Sequence, residues 1–100
     1  MRFEAEGFEV ALYEKPPVSI RWADVHEVFA LKHDLFSIDE ICLGFTIDDA
    51  GRYVWVGEDD GGFAAFRTEV ERRFAIDSAW FGKIAQPPFA ENRTTLWIRT

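Results

Sequence analysis

The sequence predicts an α+β fold that is mainly antiparallel β. The expected arrangement is an open barrel or two sheets of about six or seven strands, packed against one main amphipathic helix at about 62–74, with a last strand near 95–99. Three observations predict it. Glu40–Ile47 alternates cleanly, with Ile41, Leu43, Phe45 and Ile47 on one side and Glu40, Cys42, Gly44 and Thr46 on the other, the period-two pattern of a half-buried strand. Phe63, Phe66, Val70 and Phe74 recur at three- and four-residue spacing, the stripe of an amphipathic helix. Ten Phe, four Trp and two Tyr favour strands and a bulky core.

Taken in order, Arg2–Ala5 reads as a first strand with Gly7 as its turn. Phe8, Val10 and Leu12 then alternate with Glu9 and Ala11, and Pro16-Pro17 is expected to end that run, because proline has no N–H to give a ladder. Val18–Trp22 follows. From Trp22 to Asp34 two readings compete. Trp22, Val25, Val28 and Phe29 fit a helix face, and Asp24 with Glu27 resembles a capping box. That helix, however, carries Ala30 and Leu31 on its polar side. The preferred reading is a tight turn at Ala23–Val25 and then a strand through about Lys32, with Glu27, Phe29 and Leu31 on one face and Val28, Ala30 and Lys32 on the other.

Beyond the Glu40 strand, Asp48-Asp49-Ala50-Gly51 forms a hairpin loop with glycine available for a positive φ. Arg52–Gly57 is apolar or aromatic on both sides, which suits a central strand or one flanking a binding surface. Glu58-Asp59-Asp60 precedes the helix and suits its N-terminus. Along the helix, Arg67 with Glu71 and Glu69 with Arg73 stand at i,i+4. Ala79–Ala85 fits another helical turn or two, Pro87-Pro88 stops it, and Thr95–Arg99 closes the chain as a strand.

Residues 1–100 are expected to form a single domain. No apolar run approaches the ~20 residues that span a bilayer, and M-R-F-E-A-E-G-F-E-V lacks the apolar core of a signal peptide. The expected location is the cytoplasm, where a lone Cys42 fits a reducing environment. The net charge is −7, and residues 1–50 carry all of the excess, with eleven Asp and Glu against four Lys and Arg. Such a chain repels nucleic acid and anionic membranes and attracts basic proteins.

No residue set amounts to a catalytic signature. His26 and His33 are seven apart, which places their rings on opposite faces of a strand rather than around one metal. A calcium loop counted from Asp48 meets Arg52 at its fifth position, and one counted from Glu58 meets Gly61 and Gly62 where ligands are needed. Cys42 has acidic neighbours rather than a base. There is no G-x-S-x-G, and no lysine follows Gly61-Gly62 as a phosphate loop requires. No metal or cofactor is expected, and no enzymatic activity.

The strand-rich first part, the turn at Trp22-x-Asp24-Val25 and the helix beginning G-F-A-A-F resemble small bacterial proteins of the pleckstrin-homology-like class over roughly residues 8–74. The resemblance implies an open barrel of two antiparallel sheets closed by an amphipathic helix. Two features depart from it: the chain continues past the helix, and only Lys15 and Arg21 occupy the region where phosphoinositide-binding members cluster cations, amid Glu4, Glu6, Glu9 and Glu14. The class's protein-recognition use is therefore the one expected. The small acidic chain is also similar in style to immunity proteins that neutralise toxins. The expectation is a non-enzymatic protein-recognition domain, a monomer or weak homodimer, that neutralises or scaffolds a basic partner. The candidate surface is Glu14, Asp34, Asp39, Asp48, Asp49, Trp55 and Trp80. The alternative is a small-ligand or enzymatic pocket between the sheet and Phe63–Phe74.

Overall fold

The computed structural model describes all residues except 1, 13, 35–38 and 86–91, and the side chains of Leu12, His33, Asp34, Asp39 and Asn92 are also outside the description. The first of two antiparallel sheets holds β1 (Arg2–Phe3), β2 (Gly7–Leu12) and β3 (Lys15–Arg21) in that order. One 3-10 turn, Trp22–Asp24, leads to β4 (Glu27–Asp34), β5 (Asp39–Thr46) and β6 (Tyr53–Gly57). The chain then forms α1 (Phe63–Phe74) and α2 (Trp80–Ile84) and returns as β7 (Asn92–Ile98). The second sheet has the order β6-β5-β4-β7. The fold is α+β, with about seven antiparallel strands in two open sheets and one main helix.

The strand reading of 27–34 holds because β4 is central. It pairs along its length with β5 on one side, from Glu27 opposite Thr46 to Asp34 opposite Asp39, and with β7 on the other. A helix there would leave β7 without its ladder and strip β5 of one of its two. Several expectations change. Pro16 and Pro17 lie inside β3 rather than ending a strand. Successive positions face opposite sides, so one proline faces the free outer edge of β3, and the other falls where the β2–β3 register shifts between Val10 and Leu12 and the ladder is interrupted. The β2–β3 turn instead falls at Glu14, which takes φ 54°. β6 is an edge strand, not a central one. β7 begins at Asn92, three residues before the expected start, since its pairing reaches Lys32. Glu58–Asp60 do not cap α1; Gly62 does, with φ 85° and no side-chain bond. The Glu58 carboxylate instead accepts the Ile41 N–H at 3.0 Å.

Register assigns the two faces of the four-stranded sheet. Directly opposed residues point the same way, so Val54, Phe45, Val28 and Trp97 form one inward rung and Val56, Leu43, Ala30 and Thr94 the next. Against them α1 lays Phe63, Phe66 and Val70, all buried, as the stripe predicts. The Phe66 ring centre lies 5.2 Å from Phe8, 5.7 Å from Phe45 and 6.0 Å from Trp22, joining the helix to both sheets. Each ring so buried contributes roughly 1.5–3 kcal/mol. Lys32 lies on the same inward face, buried, and its Nζ donates to the Ala85 carbonyl at 3.3 Å, tying β4 to the end of α2.

Candidate functional site: the open face of the four-stranded sheet

The other face of this sheet carries three rungs. Tyr53, Thr46, Glu27 and Ile98 form the first, Trp55, Gly44, Phe29 and Thr95 the second, and Gly57, Cys42, Leu31 and Arg93 the third. Among the described residues, the large apolar side chains that remain exposed are Tyr53 at 47%, Trp55 at 43% and Ile98 at 61%. All three stand on this one face. No helix packs there among the described residues, since α1 and α2 bury their apolar residues in the core on the inward side.

The middle of the face is self-covered. Gly44 is what permits this: a Cβ there would come within 2.2 Å of the Phe29 ring, so the ring lies across bare backbone. Above it the Arg93 guanidinium sits 3.8 Å from the ring centre, and Tyr53 meets it edge-on at 5.5 Å. Glu27 accepts from the hydroxyls of Thr46, at 3.1 Å, and Thr95, and pairs with Arg93 at 3.6 Å. Phe29 and Cys42 are thereby fully buried although they belong to no part of the main core.

Cys42 lies on the face that alternation assigns to polar residues, yet it is not solvent-accessible. Burial, followed by the carboxylate of Glu40, pushes its thiol up to about 12. Glu40 also holds the Cys42 Sγ at 3.8 Å. A thiol so shielded is a poor nucleophile near neutrality. Among the described residues no group of three side chains is placed to hold a metal ion, and no helix is long and apolar enough to cross a membrane.

The acidic candidates do not converge. Asp34 and Asp39 pair across the β4–β5 hairpin, whereas Asp48 and Asp49 follow the far end of β5, about 25 Å away at the rise of an extended strand. Glu14 is exposed in the β2–β3 turn, on the other sheet. Asp48 is a loop-closing residue. It accepts the guanidinium and the backbone N–H of Arg52, and these bonds hold its carboxyl below the usual range. Asp49 is solvent-facing, 3.4 Å from His26 Nδ1.

The two tryptophan candidates part company. Trp80 is buried, because its indole N–H donates to Glu71 at 2.7 Å and its ring packs with Phe81 under Arg67. It therefore leaves the candidate surface, and Trp55 stays on it. Tyr53, Phe29, Arg93 and Ile98 join the face without having been singled out from sequence. Tyr53 sits two residues before Trp55, a legible hint; Ile98 reaches the face only through the β4–β7 register. No family model matches this chain, and no curated protein or solved structure matches it.

Proposed function

We propose that the domain recognises another protein, basic in character, through the open face of β6-β5-β4-β7, without catalysing a reaction. The observation that carries the reading is the gathering of Tyr53, Trp55 and Ile98 on one sheet face while the other face is filled by core. Exposed apolar side chains grouped on one surface mark interaction sites, and Trp and Tyr are common anchors there. The polar groups between them, Glu27, Arg93 and Thr95, are already held in place, so little side-chain freedom is lost on docking. The net charge of −7 supports a basic partner. The pleckstrin-homology-like class, with two antiparallel sheets and a closing helix, offers the analogy of a small domain used for protein recognition.

The test is retention of a partner from extracts of the source cell. Immobilised wild-type chain and a Glu9→Gln control on the first sheet are expected to retain it, and the paired Tyr53→Ser and Ile98→Ser chain to lose it. Equal retention by all three refutes the reading.

A second reading, small-ligand binding, is favoured by one observation. The space under α1 is packed, but beside α2 a cleft of about 350 Å3 lies between Ala30, Ile76, Trp80, Ile84 and Leu96, with Lys83 on its lining. That volume is within the usual range of ligand pockets, roughly 300–1,000 Å3.

A further inference from the structure

Resting on the small-ligand reading of the cleft beside α2, we propose that this cleft binds a free, zwitterionic amino acid with a branched aliphatic or aromatic side chain. The side chain enters between Trp80, Ile84 and Leu96, the ammonium meets Asp77, and the carboxylate meets Lys83.

The cleft lies on the inward side of the sheet, away from the open face, since Ala30 of its lining belongs to a buried rung. Two local irregularities shape it. β7 bulges where Val28 opposes Trp97 but Phe29 opposes Thr95, so Leu96 faces no residue of β4. Bulges re-aim side chains, and Leu96, released from the alternation of the strand, lines the cleft and packs on the core. On the helical side, α1 ends on Ala75 at φ 53°, a position where glycine is usual. Ala75 is part of the lining, and alanine offers it a methyl group that glycine would not. The left-handed turn at Ala75 carries the chain on to Ile76 and Asp77, which also line the cleft. Its volume of about 350 Å3 is near the lower end of the roughly 300–1,000 Å3 of ligand pockets, which suits a single amino acid rather than a nucleotide.

The rim sets the ligand class. The charged residues of the lining are one of each sign, Asp77 and Lys83. Among the described residues neither takes part in an ion pair. Asp77 Oδ1 accepts the Ala79 N–H at 2.8 Å, which fixes the carboxylate and leaves Oδ2 for a ligand. Lys83 is exposed one helical turn beyond Ala79, its own N–H donating to the Ala79 carbonyl at 3.2 Å. One turn rises about 5.4 Å, a span that the lysine stem and the two charged groups of one α-carbon bridge together. A ligand with a carboxylate alone would meet repulsion from Asp77, and one with an amine alone would meet it from Lys83. A zwitterion answers both charges.

The test uses defined probes. The labelled protein is titrated with L-leucine and L-phenylalanine while nuclear magnetic resonance follows the Trp80 indole N–H and the Leu96 amide. Both probes are expected to shift these signals saturably in the millimolar range. N-acetyl-L-leucine, which lacks the ammonium, and L-leucinamide, which lacks the carboxylate, are expected to bind at least about tenfold more weakly. Asp77→Asn keeps a side chain that can accept the Ala79 N–H and is expected to erase the advantage of L-leucine over N-acetyl-L-leucine. Lys83→Gln, at an exposed position, is expected to erase its advantage over L-leucinamide. Otherwise unchanged spectra of both variants show that the fold is kept. Equal binding of L-leucine and its two derivatives, or an advantage that neither substitution alters, overturns the proposal while leaving a small-ligand cleft. No saturable shift at Trp80 with any of the four compounds overturns the proposal and that reading together. The recognition reading is tested separately, because Tyr53 and Ile98 lie on the other face of the sheet.

Discussion

Replacing Gly44 with alanine probes the construction of the open face directly. In an ordinary strand, glycine to alanine stabilises by roughly 0.5–1 kcal/mol, because glycine loses more freedom on folding. At Gly44 the new methyl would stand 2.2, 2.3 and 2.7 Å from three atoms of the Phe29 ring, well inside contact distance. The ring is fully buried, pinned above by Arg93 and at its edge by Tyr53. It has no room to yield without breaking those contacts. Overpacking of this kind costs about 1–3 kcal/mol, so Gly44→Ala is expected to destabilise by about 1–2 kcal/mol net. Phe29→Ala alone is expected to cost about 3 kcal/mol. In the Phe29→Ala background the methyl has nothing to strike, and Gly44→Ala should become neutral or mildly stabilising. The coupling between the two sites is then about 2 kcal/mol, typical of side chains in direct contact. Urea unfolding of the four chains measures it, with unchanged m-values as the check on two-state behaviour. A Gly44→Ala cost that is the same with and without Phe29 would refute the account of how this face is built.

Phe66→Ala is expected to cost about 3–5 kcal/mol, because the ring is fully buried between Phe8, Trp22 and Phe45; a wild-type urea midpoint would mean that α1 does not join the two sheets. Cys42, raised from 9.0 to about 12, stays protonated in the folded chain while the unfolded chain ionises. Its contribution to stability is present in full below pH 9 and declines between pH 9 and 12, by at most ~1.4 kcal/mol per pH unit. The stability difference between wild type and Cys42→Ala should therefore be flat up to pH 9 and shrink or reverse above it, and a flat difference throughout would contradict the shift. Asp49→Asn should leave the urea midpoint unmoved while slowing association with a basic partner. The slowing should fade in ~1 M salt, where the screening length is ~3 Å, and an association rate indifferent to both salt and substitution would exclude Asp49 from the encounter.

The sequence by itself determined the elements whose neighbours along the chain share one burial pattern. Ile41 through Ile47 alternates, Phe63 through Phe74 keeps a helical stripe, and Gly51 takes the positive φ of its loop, here 86°. These are local regularities, set by the geometry of a strand or a helix turn. Between Trp22 and Asp34 the sequence leaves strand and helix in competition, and the pairing of β4 with β5 and β7 decides for the strand. Only the tertiary structure decided which strands meet and therefore which side chains remain outside. β4 and β7 pair Glu27 with Ile98, seventy-one positions along the sequence, and that pairing puts Ile98 in one rung with Tyr53. The fates of Trp55 and Trp80 were decided in the same way. Both are aromatics in apolar runs, but Trp80 finds Glu71 and Arg67 on α1, while Trp55 lies on an edge strand facing away from both helices. Burial depends on what arrives from elsewhere in the chain, and a residue's immediate neighbours carry no record of it.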